Sequence, residues 1–363
     1  MRRSLIVIVN VIVALAAAAG AARAQVIRGD VTDAGTHAPV VGALVVVYDS
    51  AGARVAGAIA DDSGLFVIRL AAPGHYRIRA ERIGYSSTPP VPVALAAGAT
   101  AVAHLRAPSV AVVLPTVAVL AESKCVVGPA EGEETAALWT EARKALYATE
   151  LGASGAIYAV RRWFWRDLDG TSLIVRHDSA RVDTVLLARP WATPATPEQL
   201  ARDGYAINKE GDSLAAPDAI VLLSEAFART HCFHLRRDPE KAPGLIGLAF
   251  DPAKKRHEPE VAGVIWLDSA TANLRYVEFR HTNLFPEVSP LRYGGRMDFE
   301  QLPSGEWVVR RWRIRLPVLA SSVVGQDGTA DARNMGGSRR VAIFRENGGE
   351  LLSAMVVHAV PPP

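Results

Sequence analysis

The chain reads as mainly β. An N-terminal seven-stranded β-sandwich is followed by an α+β domain built on a large curved antiparallel sheet with a few helices. Three observations predict this. Short alternating apolar runs punctuated by Gly, Pro and Asp fill the first hundred or so residues. Beyond them, helical periodicity is confined to a few segments, while strand-like alternation returns again and again. The chain has 363 residues, half of them hydrophobic, which allows two cores.

Met1 to Ala24 reads as a secretory signal. Arg2 and Arg3 form the charged start, Leu5 to Gly20 the apolar stretch, and Ala22-Arg23-Ala24 a small-x-small cleavage site before Gln25. The apolar stretch falls short of the ~20 residues of a membrane span. No Cys follows the site, so lipid attachment is not expected. No later stretch is long and apolar enough to span a bilayer as a helix. Of the 40 basic residues, Arg2, Arg3 and Arg23 lie in the leader, which holds no acid. The remainder balances the 37 acidic residues, which argues against a general nucleic-acid or anionic-membrane binder.

In the sandwich, residues 25–107, Val26 to Thr32 is the first strand and Thr36 to Pro39 a turn. Ala43 to Tyr48 and Val55 to Ile59 flank the turn Asp49-Ser50-Ala51-Gly52. Asp61-Asp62-Ser63-Gly64 is a tight acidic turn, where Gly supplies positive φ and Asp caps its own backbone. Leu65 to Leu70, His75 to Glu81, Val91 to Leu95 and Ala99 to Leu105 complete the strands. His37, His75, Asp61 and Asp62 are turn residues. Calcium needs six or more converging oxygens, which this spacing does not supply.

The order Gly29/Val31, Pro39/Gly42/Ala43, Asp61/Gly64/Phe66, Gly74/Tyr76 and Ile83/Gly84/Tyr85 resembles the carboxypeptidase regulatory-like domain. That family is a transthyretin-like sandwich, grouped with starch-binding-like domains. Ala60 departs from its pattern, which has Thr there. The resemblance implies an accessory module without chemistry of its own, with glycan contact as one implication. Its marks are turn glycines and core aromatics, so Phe66 and Tyr76 are expected in the core.

Residues 108–124 read as a linker, either a last strand or an extended connector with Pro115. In residues 125–363, Glu133 to Leu151 is a helix stopped by Gly152. Thr196-Pro197-Glu198 starts a short helix with Thr as cap. Ala216-Pro217-Asp218 starts another, running to about Arg229. Strands are expected at Ala156 to Asp167, Leu173 to His177, Arg181 to Ala188, Gly263 to Leu267, Leu274 to His281, Gly295 to Gln301 and Trp307 to Leu316. Leu173 to His177 and Arg181 to Ala188 are expected to pair. Asp268 to Thr271 and Pro303-Ser304-Gly305 read as hairpin turns. Val341 to Arg345 and Leu351 to His358 read as a final hairpin around Asn347-Gly348-Gly349. The rhythm of residues 263–316 resembles the half-barrel sheets of periplasmic lipoprotein carriers. This implies an apolar concave face suited to an acyl chain or hydrophobic peptide.

Two cysteines in an exported chain read as a disulfide, Cys125 with Cys232, the alternative being two buried thiols. Trp163, Trp165, Trp266, Trp307 and Trp312 either line a ligand groove or fill a core. Arg311, Arg313 and Arg315 alternate with Trp312, Ile314 and Leu316, which puts three guanidinia on one face. They form either a solvated face opposite acids such as Asp298 and Glu300 or an anion contact. His231-Cys232-Phe233-His234 holds metal-ligand residue types, with His257-Glu258 the nearest addition, but no further ligand at zinc spacing. No nucleophile elbow, phosphate loop or zinc-protease histidine pair is present.

The expected function is therefore a non-enzymatic exported protein of the cell envelope, in the periplasm or at the surface. Its second domain would bind a lipid, glycan or protein, with no metal or cofactor and no nucleic-acid partner. The alternatives are a hydrolase with its site in the second domain, or a purely structural surface protein. A convergent His/Asp/Glu cluster in a cleft would favour the hydrolase.

Overall fold

The computed structural model describes residues 25–108, 133–154, 157–186, 195–205, 214–253, 256–283, 293–319 and 341–356. The leader, nearly all of the linker and Cys125 lie outside the described residues. By packing the chain divides into two units, Met1–Glu81 with Ser86–Ser109, and Arg82–Tyr85 with Val110–Pro363.

The first unit is a seven-stranded sandwich: β1 (Gln25–Asp33), β2 (Leu44–Tyr48), β3 (Arg54–Ile59), β4 (Leu65–Leu70), β5 (Gly74–Glu81), β6 (Val91–Leu95) and β7 (Thr100–Ala107). One sheet has the order β4-β1-β7, the other β3-β2-β5-β6. Alternation places Ile27, Val31, Val45, Val47, Phe66, Ile68, Ile78 and Leu105 in a single buried core, with Tyr76 packed at its margin. The pairing departs from a purely antiparallel sandwich at one place, where β1 and β7 run parallel. Gly29 permits this, because any Cβ there would run into the Ala103 backbone on β7. The acidic turns are closed by their own backbone. Asp61 Oδ1 accepts the Ser63 and Leu65 amides (2.9 and 2.8 Å), and Asp33 Oδ1 those of Gly35 and Thr36 (2.9 and 2.8 Å). These oxygens are committed to turn geometry.

The second unit is a nine-stranded sheet in the order β10-β11-β12-β13-β14-β15-β16-β8-β9, antiparallel at every junction. Its strands are β8 (Ile157–Asp169), β9 (Val175–Leu186), β10 (His231–Arg236), β11 (Leu245–Pro252), β12 (Glu260–Asp268), β13 (Leu274–Thr282), β14 (Gly294–Gln301), β15 (Trp307–Leu319) and β16 (Val341–Val356). Its helices are α1 (Glu133–Ser154), α2 (Pro197–Asp203), α3 (Ala219–Leu223) and α4 (Glu225–Thr230). Leu138, Trp139, Leu200, Leu222 and Phe227 from the helices share one core with Leu248, Phe250, Ile265, Val277, Met297 and Trp312 from the sheet. The helices thus cover one face. A carboxylate–ammonium pair, Glu141 with Lys144 at 2.7 Å, is buried along α1. Its groups are satisfied by Arg82–Tyr85, where the Gly84 amide donates to Glu141 (2.7 Å) and Lys144 donates to the Tyr85 carbonyl (2.9 Å).

The expected α2 start is present as a capping box. The Gln199 amide donates to Thr196 Oγ1 (3.2 Å), and Gln199 Oε1 accepts the Thr196 amide (2.8 Å). Four expectations are corrected. The helix expected from Asp218 to Arg229 is two helices, broken at Ser224, whose extended backbone and side chain cap α4. Helix α1 runs past Gly152 to Ser154. Leu173 to His177 and Arg181 to Ala188 do not pair with each other; β9 is one strand bound along β8. The final hairpin does not form either, since β16 is one continuous strand through Gly348 and Gly349.

The last correction has a steric cause. Gly348 lies directly opposite Phe164 and Gly349 opposite Trp312, and these rings occupy the space of the missing side chains. The same pairing recurs at Gly263 with Phe250, Gly295 with Phe279 and Gly247 with Trp266. Glycines that look like turn signals are instead held in strands by rings crossing over them.

Candidate functional site

Side-chain alternation gives the nine-stranded sheet two unlike faces. Opposite the helices, cross-strand register aligns polar rows. One row runs Val264, Glu278, Arg296, Arg313, Gly348. The next runs Ala262 and Arg280 on β12 and β13, then Gly294, Arg315 and Glu346 across β14 to β16. Small residues in these rows leave a depression, and long ones wall it. The result is a groove of about 380 Å³. Its floor includes Ala262, Gly263, Gly294 and Gly295, and Tyr293 lies at one end. Five arginines, Arg236, Arg280, Arg296, Arg313 and Arg315, line it against two acids, Glu278 and Glu346.

The arginines differ in how they are held. Arg296 donates from Nε and Nη2 to Asp298 (2.8 and 2.7 Å) and lies over the Tyr276 ring, 3.7 Å from its centroid. Arg315 donates from Nε and Nη2 to Glu346 Oε2 (3.0 and 2.7 Å). Arg280 is 3.9 Å from Asp251. Glu278 accepts from Trp266 Nε1 at 3.0 Å. Arg313 is exposed, is directly opposed by Arg296 on one side and Gly348 on the other, and makes no ion pair among the described residues. Like charges facing each other across a ladder are unfavourable, and of this pair the Asp298 carboxylate offsets Arg296 alone.

The three alternating arginines therefore part company. Arg311 is opposed by Asp298 and bound to Glu350, away from the groove, as a solvated face requires. Arg313 and Arg315 line the groove. Arg236, Arg280, Arg296 and Tyr293 were not singled out by sequence. Their signal was parity, since Arg296 and Arg313 sit on one face once β14 and β15 are folded about Pro303-Ser304-Gly305. A bulge at Asp298/Phe299 shifts that register and hides the match.

The five tryptophans do not gather in one groove. Trp307 and Trp312 are buried in the helix-side core, with Trp163 against Trp312 edge-on at 6.2 Å. Trp165 is exposed. Trp266 is on the opposite face, packed with Ala249, Val264 and Tyr276. They are mainly core residues of two separate faces. Cys232 is buried in β10, while its expected partner Cys125 lies outside the described residues.

His231 and His234 fall on opposite faces because His231–Arg236 is a strand. His231 is fully buried, stacked on Phe227, and its Nε2–H donates to the Val261 carbonyl (3.0 Å). Burial holds its pKa down at about 4, so it is neutral. Around it stand Glu260, bound by Arg256, and nearby Tyr205 and Asp218. Burial raises Glu260 to about 7 against the pull of Arg256, and raises Tyr205 as well. These residue types could do acid–base work; Asp218 is used to cap α3 through the Val221 amide (2.9 Å), whereas Glu260 Oε2 is buried without a hydrogen-bond partner among the described residues. None of them lines the groove.

Residues 26–107 match the family model of the carboxypeptidase regulatory-like domain. No curated protein matches the chain. Among solved structures, one similar domain is named for outer membrane lipoprotein sorting, from Vibrio parahaemolyticus. It is 11% identical at a TM-score of 0.26, over 60% of this chain and 94% of that one. Another is a membrane-associated protein of unknown function from Bacteroides fragilis, 11% identical at a TM-score of 0.16, over 90% of this chain and 97% of that one. Neither likeness bears on the chemistry of the groove. Among the described residues no helix is long and apolar enough to cross a membrane.

Proposed function

We propose that the chain is an exported, non-enzymatic protein of the bacterial envelope. The sandwich serves as an accessory module, and the second unit is a binding domain whose ligand sits in the arginine groove. One observation carries this. The groove combines a small-residue floor with guanidinia anchored by Asp298 and Glu346, an arrangement suited to holding a ligand. Cys232 is buried, and the disulfide proposed for it would fit an oxidising compartment. A lipid, glycan or protein with an acidic group is the ligand class this supports. Native mass spectrometry of the protein purified from a bacterial periplasm, without reductant, tests it. A bound small-molecule adduct and a mass two hydrogens below the reduced chain are expected. A bare, fully reduced chain that no envelope extract loads would overturn the proposal.

A hydrolase reading is favoured by one feature, the raised Glu260 beside His231 and Tyr205. It predicts turnover of model esters or glycosides that Glu260→Gln abolishes. The binding reading predicts no turnover in either protein.

A further inference from the structure

We propose that the arginine groove is a phosphate site, in which the Arg313 fork closes on a phosphate group between the fixed guanidinia of Arg296 and Arg315. This rests on the reading of the second unit as a binding domain and names its ligand chemistry.

The geometry carries the inference in three steps. Asp298 and Glu346 each take the Nε and Nη2 edge of one guanidinium, Arg296 and Arg315. Each guanidinium has five N–H donors, so the two bonds to its carboxylate hold the plane without using up its donors. Arg313 stands across the ladder from Arg296 and adds a whole fork. Gly294, opposite Arg315, brings no side chain into the groove, while the space at Gly348, opposite Arg313, is taken by the Phe164 ring.

Charge and shape then select among anions. Five arginines face two acids in the lining, and Glu346 is already bound by Arg315. A carboxylate offers one charge and two oxygens in a plane, which one fork satisfies. A phosphate monoester carries about −1.5 to −2 charges and three terminal oxygens, which several converging forks satisfy. Its source is either a free phosphate compound or the head group of a phospholipid.

The test is calorimetric titration of the full chain with inorganic phosphate at constant ionic strength, set beside chloride and acetate. Sedimentation with phosphatidylcholine vesicles, with and without phosphatidic acid, forms the second arm. Saturable phosphate binding is expected, weakened at least about tenfold by Arg313→Ala, the effect of losing one charge-assisted contact. Arg313→Lys keeps the charge, loses the fork and should weaken binding less. Arg202→Ala, which removes an exposed arginine paired with Asp203 on α2, should change nothing. Binding confined to phosphatidic acid vesicles and dependent on Arg313 would place the phosphate on a lipid. Thermal melts of the variants confirm that each is folded.

Equal affinity in Arg313→Ala, or equal response to acetate, overturns the site. If a co-purified adduct survives in Arg313→Ala, the binding-domain reading stands and the phosphate site falls. If neither adduct nor phosphate binding is seen, both fall.

Discussion

Strand β15 presents two regions of the molecule side by side. Trp312 points into the helix-covered core and rests edge-on against Trp163, while its neighbour Arg313 points out beside Arg296 and Gly348. One residue step along the chain separates a side chain buried in the core from an exposed one that makes no ion pair among the described residues. The helix side is a closed set of mutual contacts. On the arginine side Arg296 and Arg315 are anchored by single carboxylates, and small residues are among those that line the groove. A fold that builds such a face with like charges opposed leaves room for a ligand to complete it.

The largest effect should come from breaking the helix side. Trp312→Ala removes a buried indole and should cost about 3–5 kcal/mol, read as a lowered urea midpoint with unchanged m-value. If the loss were under 1 kcal/mol, the two faces would not differ as argued.

Acid should act next, and on the same face. His281 is fully buried, donates to the Ala215 carbonyl at 2.7 Å, and is held down at about 4 by burial. An unfolded histidine titrates near 6.5. The depressed value means that this contribution is complete above about 6.5 and is lost as pH falls through 4, by roughly 3 kcal/mol. His231 titrates in the same sense. Glu260 works against both: raised to about 7, it favours the folded state below its ordinary value near 4.5 and loses that contribution as pH rises through 7. Two histidines against one glutamate leave the fold weaker at pH 4.5 than at pH 7. Urea midpoints across that range check this, and His281→Gln should flatten the slope while keeping a donor for Ala215.

A smaller effect is expected where ring meets glycine. A Cβ at Gly349 would lie 2.6 Å from the Trp312 ring nitrogen, so Gly349→Val overpacks the pair and should cost about 1–3 kcal/mol. A neutral result by thermal melt would mean the ring can swing away, and that the pairing is incidental to the continuity of β16.

Those pairs also explain what could be read from the chain beforehand. The sandwich was legible because its turns are local: Asp61, Gly64 and Gly74 announce themselves within a few residues of the strands they join. The order of β12 to β15 was legible for the same reason. Gly348-Gly349 misled, because the rings that hold them extended belong to β8 and β15, distant in sequence. The groove was half legible. The parity of Arg311, Arg313 and Arg315 was visible, but their division among Glu350, the groove and Glu346 depends on strands β14 and β16 and on a bulge. The tryptophans could not be sorted, since composition says that they are buried and only register says on which face.

The smallest effect on stability belongs to Arg313, and it is the most discriminating. Removing an exposed guanidinium without an ion pair among the described residues should change stability by no more than about 0.5 kcal/mol. Because Arg296 faces it across the ladder, the sign should favour Arg313→Ala at low salt. Salt screens that repulsion, so the advantage should vanish as ionic strength rises from about 0.01 to 1 M. Adding phosphate should reverse the order, since a ligand that binds the folded wild-type chain stabilises it and leaves the variant behind. Urea midpoints of both proteins, at two salt concentrations and with phosphate, read all three effects. A variant that loses more than about 1 kcal/mol without ligand would mean that Arg313 holds the sheet together, and the outer face would then be as structural as the inner one.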